Sequence, residues 1–395
     1  PEEIEKVEVI KGPASALYGN HASAGSVHFH TYQKGDFTRL KLQYGSYNTQ
    51  EGVAVVARSG EKLDQVYAGK IYHMDGYRDH SKWDKQIGAG RWTYHATDRL
   101  DANFNVRGYH TTWDDAGTIP QAWYDENPKR ALNDVNGGWK ERGQVQGGLK
   151  YKLTDSSKLT WMAFAIDQDW GRWRQNYTSK ELQPGDTNGS TYRFRNQALG
   201  TTLAYNFEGE LWSRKGRLDL GVEWRKDNGT REYWNLMEGY GRTKGAKTTD
   251  DDVEFFTTSF YGEFSYQILK QFRVILGSRY DMFTGTLDRM DGSSYDNDGP
   301  RIYSPKAGVI YSPFAYLDLY ANYGKGFALP STVNYSTRDY LEPAIRTQYE
   351  FGLRARPTTW SDLSLAFWRL DTTDDFQTSP TNPDLQVNAG ETRRE

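Results

Sequence analysis

Three stretches of this chain concentrate side chains that could bind something. Between Thr111 and Arg142 stand Trp113, Trp123, Tyr124 and Trp139. A second group holds Arg172, Trp173, Arg174 and Tyr177, and a third holds Arg231, Tyr233, Trp234, Tyr240 and Arg242. Rigid aromatic faces interleaved with guanidinium forks suit an anionic, partly aromatic ligand, held by stacking and charge-assisted hydrogen bonds. The competing reading of such aromatics is a membrane-interface girdle plus loop packing, which Trp170 and Trp224 fit best.

Metal chemistry has thinner support. His28 and His30 are two apart and would share a strand face, but two ligands do not close a site. Packing is the preferred reading, and no metal or other cofactor is assigned. Asp291, Asp296 and Asp298, with Gly292 and Gly299, offer oxygen ligands for Ca²⁺, though not at EF-hand spacing. That cluster and the run Asp250-Asp251-Asp252 read as solvated loops. Catalysis has no constellation. All seven histidines (His21, His28, His30, His73, His80, His95 and His110) lie within the first 110 residues, and none stands beside a candidate serine in a recognisable turn. The absence of cysteine removes thiolate nucleophiles, thiolate metal sites and disulfides together. No enzyme is expected.

The elements that must position these residues are strands. Leu100, Ala102, Phe104, Val106 and Gly108 alternate with Asp101, Asn103, Asn105 and Arg107. Leu218, Leu220, Val222 and Trp224 alternate with Arg217, Asp219, Glu223 and Arg225, and the same period of two recurs around Val145 to Leu153, Phe260 to Ile268 and Tyr349 to Arg356. Runs near ten residues suit a tilted membrane strand. A charge facing lipid costs roughly 2–4 kcal/mol at mid-bilayer, so the charged rows must face a lumen. The connections sharpen this. Short ones near Gly60, Thr97-Asp98, Thr154 to Ser157, Gly209 to Ser213, Lys270, Pro313-Phe314 and Thr358-Thr359 alternate strictly with long ones, as in an outer-membrane barrel. A soluble sandwich has no reason to gather its long loops at one end. The longest apolar run, Val53 to Ala57, is far below the ~20 residues of a spanning helix. A mean hydropathy of −0.85 does not exclude a barrel, since only alternate residues face lipid. A net charge of −3 gives no case for nucleic acid.

Two segments resemble a known family. The opening strand Ile4 to Ile10 runs into Lys11-Gly12-Pro13-Ala14-Ser15-Ala16-Leu17-Tyr18-Gly19, and then through Gly25 into Ser26 to Thr31. This is similar, nearly residue for residue, to the end of the plug domain of TonB-dependent outer-membrane receptors. Tyr303 to Pro313, Leu319 to Pro330, Tyr349 to Leu353 and Asn388 to Arg394 look like that family's barrel strands. The resemblance implies an all-β fold, a transmembrane antiparallel β-barrel with the end of an N-terminal plug. Residues 1–36 would close the plug, and 37–395 would form the first two-thirds of the barrel. About fifteen strands are visible against the roughly 22 of plugged transporters. The chain starts in mid-motif, so it is expected to be a fragment that fails to insert alone as a heat-modifiable monomer.

By the same resemblance, the complete receptor would be a monomer in the bacterial outer membrane, among its lipid and lipopolysaccharide. It would capture a ferric siderophore or similar metal chelate on its external loops and pass it by plug rearrangement, using energy from TonB with ExbB and ExbD. Lumen charges at Arg107, Lys150, Lys152, Glu223, Glu263, Arg279, Glu350 and Arg354 would hold the plug. A passive channel and a surface receptor or adhesin without transport are the alternatives. Haem is disfavoured: Phe327 to Pro330 and Asn382 to Leu385 resemble the haem branch only superficially, and no histidine follows His110.

Overall fold

The computed structural model describes residues 3–11, 19, 25–176, 188–237, 241–330, 341–378 and 386–395. Two strands, β1 (Ile4–Lys11) and β2 (Gly25–Thr31), form a small antiparallel sheet of their own, with Glu8 opposite His28 and Lys6 opposite His30. After Thr31 the chain enters one continuous antiparallel sheet. Its strands are β3 (Phe37–Gly45), β4 (Thr49–Ser59), β5 (Leu63–Met74), β6 (Trp83–Thr97), β7 (Leu100–Asp114), β8 (Gly137–Thr154), β9 (Ser157–Asn176), β10 (Asn188–Leu211), β11 (Arg214–Leu236), β12 (Lys244–Leu269) and β13 (Phe272–Asp288). It continues through the short β14 (Ser294–Asn297), then β15 (Arg301–Phe314), β16 (Leu317–Ala328), β17 (Ala344–Thr358) and β18 (Ser361–Thr373). Near the end, β19 (Phe376–Thr378) pairs with β20 (Gln386–Asn388), and β21 (Thr392–Arg394) pairs with β18. One helix of 6 residues, α1 (Gln121–Glu126), lies in the β7–β8 loop.

Each long strand pairs with its sequence neighbours, and the strand order curls into a barrel that returns from β21 to β3. Register ladders run without a gap from β3 to β18 and on to β21, but among the described residues none joins β21 to β3. The sheet is unsealed at that seam, and Leu40 and Leu42 on β3 are 72% and 89% exposed.

The burial pattern inverts that of a water-soluble protein. Phe104, Leu149, Leu203, Leu220, Phe260, Leu276, Phe351 and Phe367 are exposed on the outer face, while Asp219, Ser259, Arg279, Asp281, Ser304 and Lys306 are buried on the inner one. Alternation with lipid outside and a polar lumen inside explains both sets. The one apolar cluster of buried residues described, Phe283, Ile302, Phe327 and Leu329 with Phe255 and Ile345 against it, sits near the long-loop end of β12 to β17. No described helix is long and apolar enough to cross a membrane.

The turns follow the expected alternation with one exception. Trp212 and Ser213 join β10 to β11 with φ of 48° and 61°, the mirror-image turn whose twist matches a two-residue hairpin. Tyr47 and Asn48 repeat that geometry between β3 and β4, with φ of 58° and 55°. This turn is short yet lies at the long-loop end, where Asp75 N donates to Tyr47 O at 2.9 Å.

Candidate functional site

Strands β9, β10, β11 and β12 have 20, 24, 23 and 26 residues, about twice the 9–11 that a tilted strand needs to cross a membrane. Their outward rows turn polar toward the long-loop end: Leu199 and Leu203 on β10 give way to Arg195 and Arg193, and Ala165 on β9 to Asp167 and Asp169. This surplus and the adjoining loops carry the three aromatic–arginine groups.

Most of those arginines are engaged inside the protein. Arg172 Nη2 donates to Asp115 Oδ2 at 2.5 Å. Burial pushes the Asp115 carboxyl up, but the Gly117 amide, the Arg172 hydrogen bond and the Arg172 charge outweigh it and hold the group below the usual carboxylate range. Arg242 Nη2 donates to Asp114 Oδ1 at 2.7 Å and to Asn136 O at 3.1 Å, and its Nε to Val135 O at 2.8 Å. Its guanidinium also lies 4.5 Å from the Trp173 ring centroid, and Trp173 packs on Trp139 at 4.6 Å. Gly137 makes room for this knot: its φ is +153°, and a β-carbon there would stand 2.6 Å from Arg242 Nη2. The β5–β6 loop joins in, since Arg78 Nη1 donates to Gly117 O at 2.5 Å and His80 Nε2 lies 2.5 Å from Asn136 O.

The third group is similarly tiled. Arg231 Nη2 donates to Asp251 Oδ2 at 2.5 Å and lies 5.6 Å from the Tyr233 ring. Tyr233 contacts Tyr192 and Phe194, on which Trp170 stacks at 5.0 Å. Lys244 Nζ lies 3.4 Å over Trp234, and Arg130 lies 3.8 Å over Trp123. Trp113 stands opposite Trp83 in the β6–β7 ladder. Tyr124 is 53% exposed on α1, and Arg174 is exposed on β9. Tyr177 and Tyr240 lie outside the described residues. The acidic run is consumed as well: Asp250 by Lys247, Asp251 by Arg231 and Asp252 by Thr230. The sequence reading missed the partners Asp114, Asp115 and Asn136. The acid pair next to Trp113 was a visible signal, but its arginines come from distant strands.

At the inner wall two residues flanking the strands of the small sheet, Glu3 and Gly19, meet the barrel. Arg107 Nη2 donates to Glu3 Oε1 at 2.5 Å. Gly19 abuts Arg279, which Glu223 and Asp281 grip at 2.7 and 2.9 Å. Of the remaining motif residues, Lys11 ends β1 and Gly25 opens β2 at φ 132°, whereas Gly12, Pro13 and Tyr18 lie outside the described residues. His30 bonds to Glu8 and His28 to Ser26, each at 3.2 Å. Among the described residues, no three His, Asp or Glu side chains converge as metal ligands.

Comparison with known proteins adds the following. A family model described as "TonB dependent receptor-like, beta-barrel" matches residues 83–395, and one described as "TonB-dependent Receptor Plug Domain" matches residues 1–26. A metal-pseudopaline receptor of Pseudomonas aeruginosa strain UCBPP-PA14 is 21% identical over 99% of this chain and 60% of its own length, so the chain spans less than two-thirds of that curated relative. Among solved structures, the ferric citrate transporter FecA in unliganded form superposes with a TM-score of 0.83 at 13% identity, covering 99% of this chain and 60% of that one. The siderophore receptor PiuA from Acinetobacter baumannii superposes at 0.81 with 16% identity, covering 99% and 65%. The copper transporter OprC superposes at 0.74 with 16% identity, covering 95% and 60%. At these identities the structural likeness shows the fold.

Proposed function

The chain belongs to the TonB-dependent receptor family, and on that premise we propose that the complete protein carries a ferric siderophore or a similar metal chelate across the bacterial outer membrane. The external loops capture the chelate, TonB with ExbB and ExbD supplies the energy, and the plug rearranges to let it pass. No covalent chemistry is involved. The observation that carries this reading is the end of a plug seated against the inner wall of the barrel, through Glu3 on Arg107 and Gly19 on Arg279.

The energetics of those two contacts suit a gate. The Glu3–Arg107 pair is partly solvated, with side chains 18% and 46% exposed, and such pairs contribute about 0–1 kcal/mol. Arg279 is buried, but its charge is met by Glu223 and Asp281 of the barrel itself. Withdrawing Gly19 therefore strands no buried charge, which would otherwise cost several kcal/mol. A ligand can bias such a gate only by its differential affinity for the two plug positions.

Relatives named for pseudopaline–metal complexes and for copper support keeping the metal open within the chelate class. A passive channel fits the barrel but leaves the seated plug segment without a role. The deciding experiment is radioiron uptake by iron-starved cells carrying the complete gene, with and without TonB, across a panel of ferric chelates. Uptake that disappears without TonB supports the reading, and uptake indifferent to TonB overturns it.

A further inference from the structure

Between the small sheet and the wall formed by β5 to β8 lies a chamber of 530 Å³. Val66, Ala68 and Ala89 give it an apolar side. Its polar side is made by Arg91, Asn105, Arg107, Gln144, Gln146 and Glu3. The register explains the grouping: Arg91 stands opposite Asn105, and Arg107 opposite Gln144, on the lumen rows of adjoining strands. Diagonal neighbours on one sheet face lie about 7–8 Å apart, so the two guanidiniums are close enough to act on one guest.

The charges do not balance. Among the described residues two guanidiniums face one carboxylate, and Glu3 is taken by Arg107 at 2.5 Å. The Arg91 Nε is buried and has no hydrogen-bond partner among the described residues. Arg91 as a whole is partly buried, a setting in which a cation gains from a nearby counter-charge, and guanidinium matches carboxylate-like oxygens through paired donors. Apolar walls with a few convergent polar groups are the usual make-up of a small-molecule site.

The geometry points to an anion-accepting way station inside the barrel. The Arg91 guanidinium, with the Asn105, Gln144 and Gln146 amides beside it, receives an anionic oxygen group of the chelate, such as a carboxylate, hydroxamate or catecholate. The apolar side accommodates the chelate's carbon framework as it passes between plug and wall. This assignment rests on the transport reading above. It adds a charge requirement inside the barrel: a cargo without anionic oxygens gains nothing from Arg91.

Two measurements on the complete receptor test it. In crystals soaked with bromide, an anomalous peak is expected beside Arg91 in the wild type and not in Arg91→Gln. A carboxylate of the receptor's own chain bonded to Arg91, or no peak, overturns the site. In cells, uptake of ferric citrate, a ferric trihydroxamate and a ferric tricatecholate is followed in wild type, Arg91→Gln and Arg91→Lys. For a transported chelate, Arg91→Gln is expected to lower maximal uptake about tenfold, corresponding to one lost charge-assisted contact, while surface binding at 4 °C (a temperature roughly low enough to stall large-scale plug motion) is unchanged and Arg91→Lys recovers most of the rate. Unchanged uptake in Arg91→Gln, or a leak to vancomycin that needs no TonB, overturns it, the leak by showing that Arg91 clamps the plug instead. If the wild type takes up none of the three, the bromide experiment alone decides the site, and if uptake proves indifferent to TonB, the transport reading fails while the bromide result stands.

Discussion

Gly19 and Arg279 are held so close that no side chain fits between them: a β-carbon on Gly19 would stand 2.8 Å from Arg279 Nε. The guanidinium cannot swing aside cheaply, because Glu223 and Asp281 hold it from the barrel side. In the complete receptor, Gly19→Val should therefore lift the plug off this wall while leaving the barrel folded. The expected signature is higher TonB-independent conductance in planar bilayers, with normal heat modifiability. A variant as tight as the wild type would show that Gly19 is not a seat.

The other plug contact should be weak and salt-sensitive. Glu3 and Arg107 form a half-solvated pair, and pairs of this type are worth about 0.2–1 kcal/mol in double-mutant cycles. Glu3→Ala and Arg107→Ala, singly and together, should give a coupling in that range in urea unfolding, shrinking as salt is raised. A coupling above about 3 kcal/mol would place the pair in a drier setting than the one seen.

Acid should loosen the outer loops through Asp115. Its carboxyl titrates below the usual range, despite burial, because the Gly117 amide and Arg172 favour the charged form. A depressed folded-state value contributes stability that is fully present above the unfolded value of about 3.9 and is lost as pH falls through the lower folded value. Hydrogen exchange in residues 115–136 should therefore speed up below about pH 4. Asp115→Asn should exchange faster at neutral pH and lose most of the pH dependence; an unaltered profile would remove Asp115 from the account.

The membrane made the strands legible. Lipid tolerates no charge on its side, so Leu218, Leu220, Val222 and Trp224 had to separate from Arg217, Asp219, Glu223 and Arg225, and the two rows lie on opposite faces of β11 as expected. Of the fifteen long strands, β3 to β13 and β15 to β18, β4 departs from this separation, with Val53, Val55 and Ala57 buried on its inner row. Above the membrane the rule lapses. On β10 Arg193 and Arg195 occupy the row that lower down holds Leu199 and Leu203, while Phe194 packs among aromatic rings on the other face, so periodicity gave no sign that β10 is 24 residues long. The Tyr47-Asn48 turn escaped because tyrosine at positive φ is not a turn signal. The loop knot escaped for a different reason: Arg242 and Asp114 meet across 128 positions, and no local pattern encodes such a meeting.

The lipid face gives a direct test of orientation. Leu203 is 47% exposed on β10, in line with Leu199, while Asn105 lines the inner chamber. Leu203→Arg in the complete receptor should cost roughly 2–4 kcal/mol in urea unfolding from liposomes, because the charge would face hydrocarbon. Asn105→Asp, a charge placed on the lumen row opposite Arg91, should cost well under half of that. Equal penalties would mean that the two rows do not face lipid and lumen.

Arg242 separates bracing from ligand contact. It ties Asp114, Val135 O and Asn136 O while lying over Trp173, so it fixes the 115–136 loop whatever else it touches. Lysine can keep the charge opposite Asp114, but it has no planar fork to reach two carbonyls and stack at once. If Arg242 acts by bracing, Arg242→Lys should raise protease sensitivity of that loop and weaken chelate binding by a similar factor for every chelate that binds. If its guanidinium also meets the ligand, the loss should be steeper for chelates of higher negative charge, and Asp114→Asn, which disturbs the brace alone, should not reproduce that steepness. Chelate affinities measured for the wild type and the two variants across a charge series distinguish the two roles, and a flat response together with unchanged proteolysis would exclude both.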